Sequence, residues 1–154
     1  MAADELDATD RRLLRLLKAD GRRTYSEMAP EVGLSVAAVK RRVDRLRANG
    51  VITGFTVEVD HAKLGWGVEA FTEVRCAGST SIRDIHRITG QLPEVQAVFT
   101  IAGDLDALVH MRVRDLDHLQ RVVDRLRGSG MVIGTRTLMV LGSWNRGDLP
   151  VGEG

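Results

Sequence analysis

The chain carries one cysteine among its 154 residues, Cys76, so no disulfide can form within it. A lone thiol is a liability in an oxidising compartment, which favours a reducing cytoplasm. Met1 is followed by AADELDATD, acidic and polar where a secretory signal would be basic and then apolar, and no apolar run approaches the ~20 residues of a membrane span. A cytoplasmic protein with no membrane partner is expected. A large net charge is lacking too. With 22 basic side chains against 21 acidic ones, no global field draws the protein to a polyanion, and any such attraction must come from local clustering. Catalytic signatures are missing as well: no Gly-x-Ser-x-Gly, Walker or Cys-x-x-Cys pattern occurs, and His61, His86, His110 and His118 show no metal-ligand spacing. The expectation is a protein that is not an enzyme, with no catalytic residue, no metal and no cofactor.

What is present suffices to fold, since 44% hydrophobic residues with 28% charged ones is a globular composition. The length suits one domain or two small ones, and the apolar periodicity divides it. From Leu6 to Gly50 apolar residues recur at helical spacing, broken by close stop signals, which predicts three short helices. The first runs from about Asp7 to Ala19, capped by Asp7 or Thr9, with Leu13, Leu14 and Leu17 as its buried stripe. The second opens at TYSE, where Thr24 and Glu27 have capping-box spacing, and stops at Gly33. Ser35 then caps VAAVKRRVDRLRANG, which ends at Gly50. Two helices joined through Gly33-Leu34 make a helix-turn-helix.

After Gly50 the period becomes two, in VITGFTVEV, VEAFTEVRC, VQAVFTIAG, LDALVHMRV and MVIGTRTLMVL, which predicts strands. Helical stretches lie between them: SIRDIHRITGQL with Ile82, Ile85 and Ile88 on one side, and DLDHLQRVVDRLRG with Leu116, Leu119, Val123 and Leu126. From Val68 the order is strand, helix, strand, strand, helix, strand, the split βαβ or ferredoxin-like arrangement, with both helices on one face of an antiparallel sheet. The other face then needs cover, which predicts a partner subunit. The fold class is α+β: a helix-turn-helix, winged-helix-like domain followed by a ferredoxin-like βαββαβ domain. The expected boundaries are 1–60 for the helical domain with its following strand, 61–67 for a glycine-rich linker, 68–143 for the second domain, and 144–154 for a mobile tail.

On the third helix Val36, Val39, Val43 and Leu46 share one face and commit it to the core. Opposite them lie Ala37, Ala38, Arg41, Arg45 and Ala48, with Lys40, Arg42 and Arg47 on the flanks. Five cations against Asp44 make a local excess of four within a nearly neutral chain. Small residues let a backbone approach base edges, while arginines reach phosphates or the O6 and N7 of guanine. Ser35 and the first-turn amides can meet a phosphate, and Arg22, Arg23 and Thr24 stand at the start of the second helix. Most cationic helix faces are merely solvated. The glycine-turned helix pair and the concentration of charge favour double-stranded DNA as the partner, while Arg42 and Arg47 near the core boundary are expected to pair with Asp44 or to run along apolar surface.

The stretch from Leu6 to Gly65 resembles the amino-terminal domain of the Lrp/AsnC, or feast/famine, transcriptional regulators. The resemblance rests on Leu-Asp with a second Asp, Asp-Gly-Arg before helix two, Gly-Leu-Ser before the recognition helix, Arg-Val-x-Arg-Leu within it and Gly-Val-Ile after it. The carboxyl-terminal half is similar to that family's RAM domain. The resemblance implies a homodimer formed through the sheet and assembling further to an octamer. It also implies an amino acid or related metabolite bound between RAM domains near the hairpin AGDLD. Gly103, Asp104 and Asp106 match the family's Gly-x-x-Asp loop, and Thr135 and Thr137 in GTRT match as well. Glycine admits a backbone close to a ligand, loop amides can take a carboxylate, and an aspartate can hold an ammonium group. Leu105 stands where the family commonly has an aromatic residue, and Ala102 where a hydroxyl residue is common. A plain hairpin turn would use the same glycine and aspartates.

Two rival functions share parts of this pattern. An architectural DNA-binding protein without an effector would use every DNA-binding residue named above, and only ligand response separates it from a regulator. Siroheme decarboxylases resemble the family in both domains, but such an enzyme would depend on histidines and have no use for the cationic face.

Overall fold

The computed structural model describes residues 6–78 and 80–143. The chain forms two compact units, one running to Glu58 and one from Val59 to Ser143. The expected mobile tail lies outside the described residues.

The first unit holds α1 (Ala8–Ala19), α2 (Tyr25–Val32) and α3 (Val36–Ala48). Asp7 caps α1 in a capping box with Asp10, and Thr24 caps α2 in another with Glu27. Gly33 takes a left-handed conformation, φ 66°, and Leu34 N–H reaches back to Ala29 C=O at 3.1 Å, which closes α2 and turns the chain into α3. Leu13, Leu16, Met28, Ala29, Val39 and Val43 form the core. Two expected core positions differ. On α1 the buried stripe holds Leu13 and Leu16 with Leu17 packed against it, while Leu14 lines an open groove with Val51, Ile52 and Phe55. On α3 Val36 is 46% exposed, because it sits in the first turn, beyond the end of the core that Val39, Val43 and Leu46 enter.

The predicted strand VITGFTVEV is not formed: residues 51–59 join no ladder among the described residues, and Phe55 and Val57 are exposed. Alternating apolar residues create a tendency to extend, but a strand exists only where another backbone pairs with it.

The second unit begins with a 3-10 turn at Ala62–Leu64 and continues as β1 (Val68–Cys76), α4 (Ile82–Thr89), β2 (Val95–Thr100), β3 (Ala107–Val113), α5 (Leu116–Arg127) and β4 (Val132–Met139). The sheet is antiparallel in the order β2-β3-β1-β4. On one face Ala70, Val74, Val109 and Met111 pack with Ile85, Leu119, Val122, Val123 and Leu126 from the two helices. Leu116, expected in this core, is 57% exposed, and Val122 is buried in its stead. Leu116 is the first residue of α5, at the end of the helix beyond the core that Leu119, Val122, Val123 and Leu126 enter.

Cross-strand partners share a face, so the register defines the other side of the sheet. Ala97, His110, Phe71 and Leu138 form one row, and Phe99, Leu108, Glu73 and Arg136 the next. Phe71 stacks on His110 with ring centroids 4.7 Å apart, and Phe99 and Leu138 are exposed. No element among the described residues covers these rows.

Candidate nucleic-acid interface and ligand cleft

The N-cap of α3 is Ser35, whose Oγ accepts from Ala38 N–H at 3.2 Å. Val39, Val43 and Leu46 anchor one side of the helix. At 100° per residue Arg41 points almost directly away from them. Arg41 is exposed and has no ion-pair partner among the described residues; Ala37 beside it is exposed and Ala38 half-buried. The surface around Arg41 is therefore a cation flanked by small side chains.

The remaining cations are held to different degrees. Lys40 donates to Asp44 at 2.6 Å, and that bond, reinforced by the carboxylate charge, raises the ammonium pKa. Arg42 bonds Asp7 at 2.5 Å and Asp10 at 2.9 Å, where pairing with Asp44 or a run along apolar surface was expected; Asp44 is paired with Lys40. Arg45 donates to the second oxygen of Asp10 at 2.6 Å, yet remains half exposed. Asp10 is fully buried, so α1 reaches under α3 with one carboxylate gripping two arginines. Hydrogen bonds from the Asp10 backbone and from Arg42 hold Asp7 below its ordinary pKa. Near α2, Arg22 is exposed, Arg23 pairs with Glu31, and the Thr24 hydroxyl is engaged with Glu27 at 2.7 Å. Sequence reasoning missed Asp7 and Asp10 as the residues that orient the helix cations. Asp7 was expected only as a possible cap of α1, Asp10 was given no role, and nothing local signalled the arginines across the fold.

In the second unit a cleft of about 420 Å³ opens where the β2–β3 hairpin meets the ends of β1 and β4. Asp104 and Leu105 come from the hairpin, Glu73 and Arg75 from β1, and Gly134, Thr135 and Arg136 from β4. Two expected residues, Asp104 and Thr135, are thus brought together. Thr135 Oγ1 accepts from Arg127 Nε at 2.8 Å. The other three are placed differently. Gly103 is exposed in the hairpin and does not line the cleft. Asp106 accepts from Cys76 N–H at 2.7 Å and bonds Val74 C=O through its own N–H at 3.0 Å, so its carboxylate fastens the hairpin to β1. Burial, with the Asp106 charge second, pushes the Cys76 thiol pKa up. Thr137 Oγ1 lies 3.0 Å from that of buried Thr72, in a row that faces the helices. The charged lining of Glu73, Arg75 and Arg136 was not foreseen, since only the register of β1 against β4 assembles it.

Among the described residues no group of three or more His, Cys, Asp or Glu could hold a metal ion, and no helix is long and apolar enough to cross a membrane.

Comparison with known proteins finds both units in one family. Residues 6–47 match the family model of the AsnC-type helix-turn-helix domain, and residues 69–149 that of the Lrp/AsnC ligand binding domain. The HTH-type transcriptional regulator Rv2324 of Mycobacterium tuberculosis is 39% identical over 138 residues, covering 90% of this chain and 93% of that protein. A solved structure of the transcriptional regulator NMB0573 of Neisseria meningitidis in complex with L-methionine superposes with TM-score 0.86 at 26% identity, over 92% of this chain and 93% of that one. The feast or famine regulatory protein Rv3291c of M. tuberculosis, also complexed with L-methionine, gives TM-score 0.84 at 32% identity, over 92% and 95%.

Proposed function

The chain belongs to the Lrp/AsnC family of helix-turn-helix transcriptional regulators, and from that premise we propose that it docks α3 in the DNA major groove, with Arg41 as the principal reading residue. The observation that carries this reading is the position of Arg41: opposite the buried face of α3, exposed, and free of an ion-pair partner among the described residues. Lys40 adds a phosphate contact by exchanging Asp44 for the DNA backbone, Arg45 adds another from the exposed part of its guanidinium while it keeps Asp10, Ser35 and the first-turn amides of α3 meet a phosphate, and Arg22 and Arg23 meet a further one. Ala37 and Ala38 let the helix sit deep. Arg41→Ala should weaken binding to a duplex selected by the wild-type protein from a random library by about 1 to 3 kcal/mol, and relax preference at one position of each half-site. Fluorescence anisotropy with sequence variants of that duplex measures both. Unchanged affinity in a folded Arg41→Ala protein would move the reading face elsewhere on α3.

The second unit binds an amino acid in the cleft at the β2–β3 hairpin. Two relatives solved with L-methionine support the ligand class, and the charged lining supports the place. The exposed rows of the sheet are covered by a second copy, giving a homodimer that builds octamers. The protein works in the cytoplasm as a regulator with no catalytic step. A chain that binds DNA but no amino acid would be an architectural protein instead.

A further inference from the structure

Four charged side chains line the cleft, and two of them cancel. Glu73 and Arg136 are register partners across β1 and β4, joined at 2.6 Å. Arg75 and Asp104 have no ion-pair partner among the described residues, so they do not pair with each other either. One guanidinium and one carboxylate are thus left open to a ligand. Among the described residues the only apolar side chain in the lining is that of Leu105.

We propose that Arg75 is the carboxylate anchor of this site: it takes the α-carboxylate of an amino acid whose α-ammonium is taken by Asp104. This rests on the reading of the cleft as an amino-acid site and names what selects within it. A guanidinium meets a carboxylate with two parallel N–H bonds, whereas an ammonium is a point charge that a lone carboxylate satisfies. The pair therefore requires both charges of the zwitterion and discriminates against the amine that lacks the carboxylate and the 2-oxo acid that lacks the ammonium. The backbone gives Arg75 its room. Its register partner is Gly134, where a Cβ would lie 3.9 Å from Arg75 Cβ and 4.0 Å from its Cδ. Alanine there is accommodated, while a longer side chain would share the space the guanidinium needs to fold over a ligand. The alternative carboxylate receptor is the set of backbone amides in the hairpin, and it predicts no role for Arg75.

The test titrates the full-length protein by calorimetry with the twenty proteinogenic L-amino acids, and with the α-carboxamide of each one that binds. Wild type should prefer the acid over its carboxamide by about tenfold or more, the scale of a charge-assisted hydrogen bond at a partly solvated site. Arg75→Gln should bind the acid about tenfold more weakly and bind acid and carboxamide alike. Arg75→Lys, which keeps the cation but not the two parallel N–H bonds, should keep part of the preference, a rescue that a merely structural role for Arg75 would not produce. Gly134→Leu leaves the arginine in place and crowds it; it should weaken the acid more than the carboxamide, and it serves where Arg75→Gln does not fold. Retention of the acid preference in Arg75→Gln, or in Gly134→Leu used in its place, would overturn the anchor and assign the carboxylate to the hairpin amides. Absence of any binding to wild type would overturn the amino-acid reading itself, and the anchor with it.

Discussion

Glu94 shows how a single residue can hold charge inside the second unit. It is 5% exposed, and its Oε1 meets His118 Nε2 at 2.8 Å and Arg125 at 2.6 Å. Burial pushes its pKa up, but its own backbone N–H, His118 and Arg125 together outweigh burial and hold it below the ordinary glutamate range. His118 in turn lies stacked against Trp66, centroids 6.3 Å apart. A carboxyl whose folded pKa is depressed stabilises the fold at any pH above its unfolded value, and that contribution is lost as the pH falls through the folded value. Glu94→Gln should therefore cost about 1 to 3 kcal/mol at neutral pH, the range for a charged hydrogen bond in a buried setting, with the gap to wild type closing in acid. Urea melts of both proteins across the acid range measure the gap, and a gap independent of pH would assign the loss to packing. Asp10 presents the same economy in the first unit, since one buried carboxylate holds Arg42 and Arg45. Asp10→Ala should destabilise the helical unit by a similar ~1 to 3 kcal/mol, read in the same assay.

At the scale of elements, the turn between α2 and α3 depends on Gly33. Its φ is 66° and no atom lies within 4 Å of where a Cβ would stand, so Gly33→Ala incurs backbone strain without a clash. The expected loss is about 1 kcal/mol in thermal or urea unfolding, and a larger one would mean that the turn rearranges. This glycine was legible in the sequence because a stop signal, a serine cap and a new apolar period follow each other within three residues. The strands of the second unit were legible for a related reason: β1 buries Ala70, Thr72 and Val74, and β3 buries every second residue from Ala107 to Val113. Residues 51–59 alternate just as well and form no strand here, since alternation does not report whether a backbone partner exists. The cation network of α3 was illegible from local pattern. Arg42 finds its carboxylates 35 and 32 positions away, whereas helical spacing offered only Asp44. The cleft was half legible. The hairpin drew attention to Asp104, but Asp106, two residues on, points to Cys76 N–H, and Arg136 reaches Glu73 across 63 positions.

At the scale of the whole molecule, the basic helix and the cleft belong to different units, so a ligand can influence DNA only through something both units share. The exposed rows of the sheet supply it if a second copy covers them: Phe71, Leu108, Phe99 and Leu138 make an apolar strip with charged pairs at its edges, the pattern of a buried interface with a polar rim. The dimer then sets the spacing of two recognition helices, which must match half-sites one helical turn or a multiple apart. A ligand that changes the assembly changes that spacing. Leu138 is 45% exposed, so Leu138→Glu should leave the monomer folded while placing a charge in the interface. Sedimentation at micromolar concentration should show wild-type dimers or larger assemblies and monomers of Leu138→Glu. In wild type, DNA and amino acid should alter each other's affinity by one common factor, equivalent to about 1 to 3 kcal/mol. That factor is measured twice, by DNA titration with and without saturating amino acid and by amino-acid titration with and without DNA. In Leu138→Glu it should fall to one, because each monomer keeps its cleft and its recognition helix but no geometry links them. Coupling that survives in the monomer would run within the chain and remove assembly from the mechanism.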